Sequence, residues 1–256
     1  MPKIISYNVN GIRSALNKGW IEWVNSVNPD IVCFQEIKAN AEQLDLTLFE
    51  AAGFNHHFWH SAEKKGYSGV AIVSKLKPDH VEVGFGNPLY DAEGRMLRAD
   101  FGDVSVISVY MPSGTTGDIR QQFKYEFLDF FQEYINELRK TRPKLIICGD
   151  WNICHKPIDI HNPVSNARSS GFLPAEREWI DKFIANGFID SFRYFNQDPH
   201  QYTWWSQRFN VRARNLGWRI DYGMITENLE KQLKSAAIMP EAKHSDHCPV
   251  LVEIDF

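Results

Sequence analysis

The feature that most constrains this chain is a series of short apolar runs, rich in β-branched and aromatic residues, that recur from one end to the other between turn-forming residues. Ile31 to Phe34, Val70 to Val73, Val104 to Tyr110, Leu145 to Cys148, Ile220 to Ile225 and Val250 to Ile254 are too short for helices and read as strands, as does the opening run before Asn8. Helical periodicity lies between them. It is clearest at Ile119 to Lys140, where Phe123, Phe127, Phe130, Phe131, Tyr134, Ile135 and Leu138 repeat at three- and four-residue steps. Asn17 to Val27 and Pro174 to Ala185 show weaker helical patterns, the second with a proline in its first turn. Strands alternating with helices predict an α/β chain. No linker, repeat or low-complexity tract divides residues 1–256, so one domain is expected.

Composition narrows the function classes. A hydrophobic fraction of 43% supports a sizeable core, and eight Trp, nine Tyr and seventeen Phe suit either base stacking or dense packing. A formal charge of -4 argues against non-specific coating of DNA, although local patches can bind phosphates whatever the total. Cys33, Cys148, Cys154 and Cys248 have no zinc-finger spacing, which points to reduced thiols. Neither a leader peptide nor a long apolar span is visible, so a cytoplasmic protein is expected, nucleoid-associated if bacterial, without a membrane partner. No obligate protein partner is evident and a monomer is the default.

The chemistry gathers where strands end. Asn8 and Asn10 follow the first strand, Glu36 the second, Tyr110 closes Val104 to Val109, and Asp150 and Asn152 follow Leu145 to Cys148. In α/β folds ligands bind outside the carboxyl ends of strands, so this set is expected to converge on one rim. Carboxylate and amide oxygens without thiolates suit a hard cation such as Mg²⁺, with Glu36 the best ligand candidate. Ser245-Asp246-His247 adds an imidazole beside a carboxylate, a familiar acid/base or phosphate-binding element. No Walker loop or GxSxG elbow is present. His56, His57 and His60 look like a ligand cluster but sit in a strand-like segment, where neighbours point to opposite faces.

Two further stretches stand out. Between Tyr202 and Asp221, Arg208, Arg212, Arg214 and Arg219 occur without an intervening acid, interleaved with Trp204, Trp205, Phe209 and Trp218. Arginines neutralise phosphates while aromatic faces fill the place of a base, so this segment is read as a nucleic-acid surface. The longest irregular stretch, Asn152 to Leu173, is of a length that is more often functional than decorative.

Taken together, YNVNGIR at 7–13, QEIK at 35–38, GYSGVAIVSK at 66–75, YMPSG at 110–114, GDWN at 149–152, GWRIDY at 217–222 and SDHCP at 245–249 resemble the exonuclease III family of abasic-site endonucleases, in that family's order along the whole chain. The resemblance implies a four-layer α/β sandwich of two packed mixed sheets flanked by helices, the DNase I-like fold. It implies cleavage of the phosphodiester 5′ to an abasic site in double-stranded DNA, with a 3′-hydroxyl and a 5′-deoxyribose phosphate as products, and 3′-to-5′ exonuclease or end trimming as companion activities. By position, Glu36 resembles the main metal ligand, with Asn8 nearby and Asp246 acting through water; Mg²⁺ is the implied ion, with Mn²⁺ as substitute. Asp150 resembles the residue that activates water, Asn152 and Tyr110 those that hold phosphate, and His247 a phosphate-contacting imidazole supported by Asp221. Trp204, Trp218 and Ile220 fall where the family forms the pocket for a baseless sugar. Asn10, Arg13, Lys38, Tyr67, Arg120, Asn166 and Arg208 are the remaining expected DNA contacts.

Some positions depart from the family pattern. Asn10 stands where some relatives carry aspartate, Ser113 replaces a longer amide, and Ser169 departs from a third loop amide beside Asn162 and Asn166. The chain opens almost on its first strand, so no basic extension with redox or RNA roles is expected. Rival readings are another phosphoesterase on the same scaffold and a catalytically idle DNA-binding protein. The Trp/Arg segment before GWRIDY favours abasic DNA over the first, and the carboxylates Glu36, Asp150 and Asp221 speak against the second.

Overall fold

The computed structural model describes Met1–Phe256. Its strands in chain order are β1 (Lys3–Asn8), β2 (Ile31–Gln35), β3 (His56–His60), β4 (Val70–Ser74), β5 (His80–Val83), β6 (Met96–Phe101), β7 (Val104–Tyr110), β8 (Lys144–Asp150), β9 (Phe188–Asp190), β10 (Asp221–Thr226), β11 (Leu233–Ile238) and β12 (Val250–Ile254). They form two six-stranded sheets, ordered β11-β12-β1-β2-β4-β3 and β5-β6-β7-β8-β10-β9. Each sheet is mixed: one parallel pair, β1 with β2 or β7 with β8, lies at its centre among antiparallel neighbours.

Alternation along the central strands explains the layers. In β2, Ile31 and Cys33 face the space between the sheets while Val32 and Phe34 face an outer helical layer. In β8, Ile146 and Cys148 face inward, and Leu145 and Ile147 pack with the helices of the other outer layer. Both faces are therefore covered, which is why these strands read as continuous apolar runs. Truncating one such side chain, for example Phe34→Ala, costs about 3–5 kcal/mol in a typical core.

The helices are α1 (Ile12–Asn17), α2 (Trp20–Val27), α3 (Thr47–Ala51), α4 (Pro88–Asp91), α5 (Asp118–Thr141), α6 (Pro174–Ala185) and α7 (Ser191–Phe195). The aromatic repeat of α5 buries Phe127 and Phe131 against Trp151, Trp179 and Phe183. The helix expected from Asn17 to Val27 begins only at Trp20: Asn17 closes α1, and Gly19, with a left-handed φ of 84°, separates the two helices. The strand expected from Ile220 begins one residue later, at Asp221, and the amides of both residues donate to Thr203 Oγ1. Sequence periodicity did not single out β5, β6, β9 or β11; β5, β9 and β11 lie at sheet edges, and β6 interleaves Arg98 and Asp100 with its apolar residues.

This topology positions the site. The carboxyl ends of β1, β2, β7 and β8 point to one rim, and the antiparallel β10 starts there. Registration places Tyr110 beside Asp150 and Asp150 beside Asp221, while Asn8 pairs with Gln35, one residue before Glu36.

Candidate active site

The rim opens into a cleft of about 900 Å³ lined by Glu36, Tyr110, Asp150, Asn152, Asp246 and His247, with Trp204, Trp218 and Ile220 along its wall. Lys38 and Asn10 line it as well. Most of the strand-end residues picked out by sequence thus meet in one place.

The turns that carry them are strained. Asn10, Glu36, Lys38 and Asn152 all have left-handed φ between 45° and 56°. Such conformations cost about 1–3 kcal/mol each and persist only where the surroundings impose them. Here loop-to-loop hydrogen bonds do so: the Gly11 amide donates to the Glu36 carbonyl at 2.8 Å, and the Lys38 amide to the Ser68 carbonyl at 2.9 Å.

Asn8 is fully buried and joins the two halves of the site. Its Nδ2 donates to Glu36 Oε2 at 3.0 Å and to Asp150 Oδ2 at 2.8 Å, while its Oδ1 accepts from the Asn10 amide. Asn8, expected near the metal, lies beside Glu36 in this structure. It presents nitrogen, not oxygen, to the carboxylates and acts as a bridge between them. Glu36 Oε1 also pairs with Lys38 Nζ at 2.9 Å, and Lys38 continues to Asn10 Oδ1 at 2.5 Å. Asn10 Nδ2 donates to Asp246 Oδ1 at 2.8 Å, and Trp204 Nε1 to Asp246 Oδ2 at 3.3 Å. Glu36 and Asp246 are thus tied through Lys38 and Asn10.

On the other side lies the imidazole. His247 Nδ1 is 2.9 Å from Asp221 Oδ2, and its Nε2 is 3.9 Å from Asp150 Oδ2. Burial works against the imidazolium, but Asp221, and behind it Asp150 and Asp246, lift its pKa to about 10. Asp150 behaves oppositely. Burial, reinforced by the charge of Asp221, raises its carboxyl to about 7, with His247 and the hydrogen bonds from the Asn152 amide and Asn8 pulling the other way. Burial followed by the carboxylates of Glu36 and Asp150 holds the Tyr110 phenol well above its usual range, so it remains a neutral donor. Burial opposes the charge of Asp246, yet His247 and the bonds from Asn10 and Trp204 keep its pKa low.

Asp150, Asp221 and His247 offer ligand atoms within 4.8 Å of one another, a buried cluster that could hold a metal. Nδ1 of His247 is engaged by Asp221, however, and the rest of the rim offers Glu36 and Asp246 facing the cleft. That oxygen donor set, free of thiolates, fits a hard divalent cation.

Trp204, Trp218 and Ile220 form one side of the cleft. Trp204 and Trp218 meet edge to face at 5.9 Å, both half-buried, above buried Ile220. The arginine segment needs correction. Arg208 and Arg214 are exposed. Arg219, in contrast, is 1% exposed between Asp159 at 2.7 Å and Asp190 at 2.8 Å. Arg212 lies over the Trp205 ring and donates to the Ser245 and Ala242 carbonyls. These two hold the loop and are not free for phosphate, because Arg219 is buried between its carboxylates and the Arg212 guanidinium is spent on backbone carbonyls.

Of the other expected contacts, Arg13 is exposed and lines a groove with Lys18 and Lys38, contiguous with the cleft through Lys38. Tyr67 and Arg120 sit beside the cleft in a cluster: both Arg95 and Arg120 donate to Tyr67 Oη and pair with Glu93. Arg95 also donates to the Tyr110 carbonyl. Asn166 does not line the cleft; its Nδ2 donates to the His161 and Asn162 carbonyls. Its neighbours Arg168, Ser169 and Ser170 do line it. Arg168, Ser170 and Gln121 were missed from sequence, although the length of the 152–173 stretch was a signal for the first two. The three histidines lie on edge strand β3, where His60 bonds the Met96 carbonyl and His57 faces Glu50.

Comparison with known proteins agrees with this geometry. Residues 5–247 match the Endonuclease/Exonuclease/phosphatase family. The chain is 40% identical over 250 residues to an exodeoxyribonuclease of Bacillus subtilis, covering 97% of each chain. It is 37% identical to the DNA repair nuclease APEX1 of Danio rerio, over 97% of this chain and 80% of that one. Among solved structures, an AP endonuclease from Archaeoglobus fulgidus superposes with a TM-score of 0.87 at 30% identity over the whole of both chains. Two packed six-stranded sheets, a carboxylate and imidazole cleft at their shared rim, and these likenesses give one conclusion: the chain belongs to the endonuclease/exonuclease/phosphatase family, within its exonuclease III group of DNase I-like nucleases.

Proposed function

We propose that the protein is a DNA repair endonuclease that hydrolyses the phosphodiester 5′ to an abasic site in double-stranded DNA, leaving a 3′-hydroxyl and a 5′-deoxyribose phosphate. The observation that carries this reading is that one cleft joins the Asp150, Asp221 and His247 constellation to a pocket walled by Trp204 and Trp218. An extruded sugar without a base fits such a pocket, and a full nucleotide is excluded by its walls.

The residues divide the chemistry as follows. His247 is held as an imidazolium by Asp221, so its Nε2 proton is available to a phosphate oxygen. It is unsuited to be the base at neutral pH. Asp150, raised to about 7, is the general base that takes a proton from the attacking water. Asn8 holds it in place. Asn152 spends one Nδ2 hydrogen on the Met111 carbonyl and has the other for phosphate. Tyr110 donates its phenol proton to the same group. Glu36 would hold Mg²⁺, or Mn²⁺ in its place, with Asp246 acting through water. When bound, the cation supplies charge stabilisation for the departing 3′-oxyanion. Arg13 and Lys18, in the groove that meets the cleft at Lys38, and exposed Arg208 and Arg214 are the phosphate contacts outside the cleft.

A second reading, 3′-to-5′ exonuclease action, is favoured by the high identity to an exodeoxyribonuclease. The same chemistry serves both. The test is a labelled duplex with one internal tetrahydrofuran residue, incubated with Mg²⁺ or with chelator. The proposal expects a single metal-dependent cut on the 5′ side with a free 3′-hydroxyl. Equal cutting at undamaged positions indicates a general nuclease, and binding without cutting indicates an idle DNA binder.

A further inference from the structure

Behind the cleft, Lys124 of α5 and Glu176 of α6 form an ion pair of which neither side chain reaches solvent. Lys124 Nζ donates to Glu176 Oε1 at 2.5 Å and to the backbone carbonyl of Asn152 at 2.8 Å. Glu176 Oε2 accepts from the Gly171 amide at 2.7 Å and the Leu173 amide at 2.9 Å, and Oε1 also accepts from Gln121 Nε2 at 3.1 Å. Gln121 in turn accepts from Ser170 Oγ at 2.6 Å. Asn152, Gln121, Ser170, Gly171 and Leu173 all line the cleft.

Part of this arrangement is ordinary helix capping, since Glu176 is the third residue of α6 and reaches back to the amide of Leu173. Capping accounts for neither the lysine nor its bond to Asn152. A buried ion pair is often no more stabilising than an apolar pair of similar volume, so stability is a weak account of it and a geometric role a better one. The packing around it points the same way. Gly171 has a left-handed φ of 93°, and a Cβ there would lie 3.0 Å from both the Asn152 carbonyl and Trp218 Cζ3. A Cβ at Gly114 would meet Gln121 Oε1 at 2.0 Å and Ser170 Oγ at 2.6 Å. The wall and the turn are thus in direct contact, with no room for a side chain between them.

We propose that Lys124 and Glu176 are positioning residues: the buried pair ties the Asn152 turn that ends β8 to the Ser170–Leu173 wall, and so fixes where the phosphate and the sugar sit relative to Asp150. This rests on the nuclease reading above. Burial leaves the lysine pKa lowered, although Glu176 and, further off, Asp150 oppose the shift.

The test is the single-turnover rate on the tetrahydrofuran duplex with enzyme in excess, which reads folded molecules whatever their yield. Lys124→Met is expected to slow this step by about tenfold to a hundredfold, the scale of a misplacement near 1 Å. Its duplex affinity, measured in chelator, is expected to change by less than about threefold, because the phosphate-binding side chains remain. Lys124→Arg, which can donate to both acceptors, is expected to recover most of the rate. Independently of DNA, hydrogen exchange at the Cys154 and Gly171 amides should quicken in Lys124→Met. A folded Lys124→Met variant with a rate within about twofold of wild type overturns the proposal, whatever the exchange shows. If that variant does not fold, Glu176→Gln decides: it keeps an acceptor for Lys124 and weakens the grip on Gly171 and Leu173. Wild-type rate and exchange in Glu176→Gln overturn the proposal equally. A wild type that leaves the duplex uncut overturns the nuclease reading instead, and the exchange measurement still decides the tether.

Discussion

Asp221 Oδ2 lies 2.9 Å from Nδ1 of His247, which leaves the other ring nitrogen directed to the cleft, 3.9 Å from Asp150 Oδ2. One carboxylate thereby sets both the orientation and the charge of the imidazole that faces phosphate. Asp221→Asn keeps the shape and removes the charge. Its kcat is expected to fall about 10²- to 10³-fold, the usual scale for loss of an electrostatic stabiliser, with duplex affinity changed much less. Steady-state kinetics with a binding assay in chelator check this, and a near-normal kcat would remove Asp221 from the relay.

Asp150→Asn removes the base while leaving an amide in contact with Asn8. Incision is expected to fall by about 10²- to 10⁴-fold or more, with the fold intact. DNA affinity is expected to hold or tighten, because a negative charge near phosphate is gone. Turnover close to wild type excludes the assigned role.

Glu36→Gln addresses the metal. An amide is a weaker ligand for a hard cation than a carboxylate, so the Mg²⁺ concentration for half-maximal incision should rise, while binding of uncleaved duplex in chelator should not weaken. An unchanged Mg²⁺ dependence takes Glu36 out of the metal site.

The Asp159 and Arg219 pair governs stability. Burial opposes the charge of Asp159, but Arg219 and then Arg193 hold its pKa near about 2. A folded pKa below the unfolded value means that the stabilisation is complete above about pH 4 and is lost as pH falls towards 2. The amount is about 2 kcal/mol. Urea midpoints between pH 5 and 2.5 should fall steeply in wild type and less steeply in Asp159→Asn, which starts lower because Arg219 loses a buried partner. Parallel slopes would contradict the assignment.

What the sequence made legible was chemistry tied to strand ends. Glu36, Asp150 and Tyr110 follow apolar runs whose period is plain, and parallel strand pairs bring such ends together. Burial and orientation of polar groups were not legible. The arginines between Tyr202 and Asp221 look alike in sequence, yet Arg219 is a core ion pair and Arg208 a surface residue, because the partners of Arg219, Asp159 and Asp190, lie tens of residues away. The family resemblance put Asn8 near the metal, and only its neighbours reveal which end of the amide faces the carboxylates. Lys124 and Glu176 stand 52 positions apart in α5 and α6. No local pattern joins them.

Selection of a sugar without its base by the Trp204 and Trp218 pocket is decided by kcat/KM on an internal tetrahydrofuran duplex and on a recessed ordinary 3′ end, in wild type, Trp204→Phe and Trp204→Ala. Trp204→Phe removes the Nε1 bond to Asp246 but keeps an aromatic wall, so it isolates that contact. Trp204→Ala is expected to lower abasic incision by about 1–3 kcal/mol in transition-state binding while lowering cleavage of the ordinary end less, or raising it. Equal loss on both substrates would show that Trp204 serves general docking and that the pocket does not choose the abasic site.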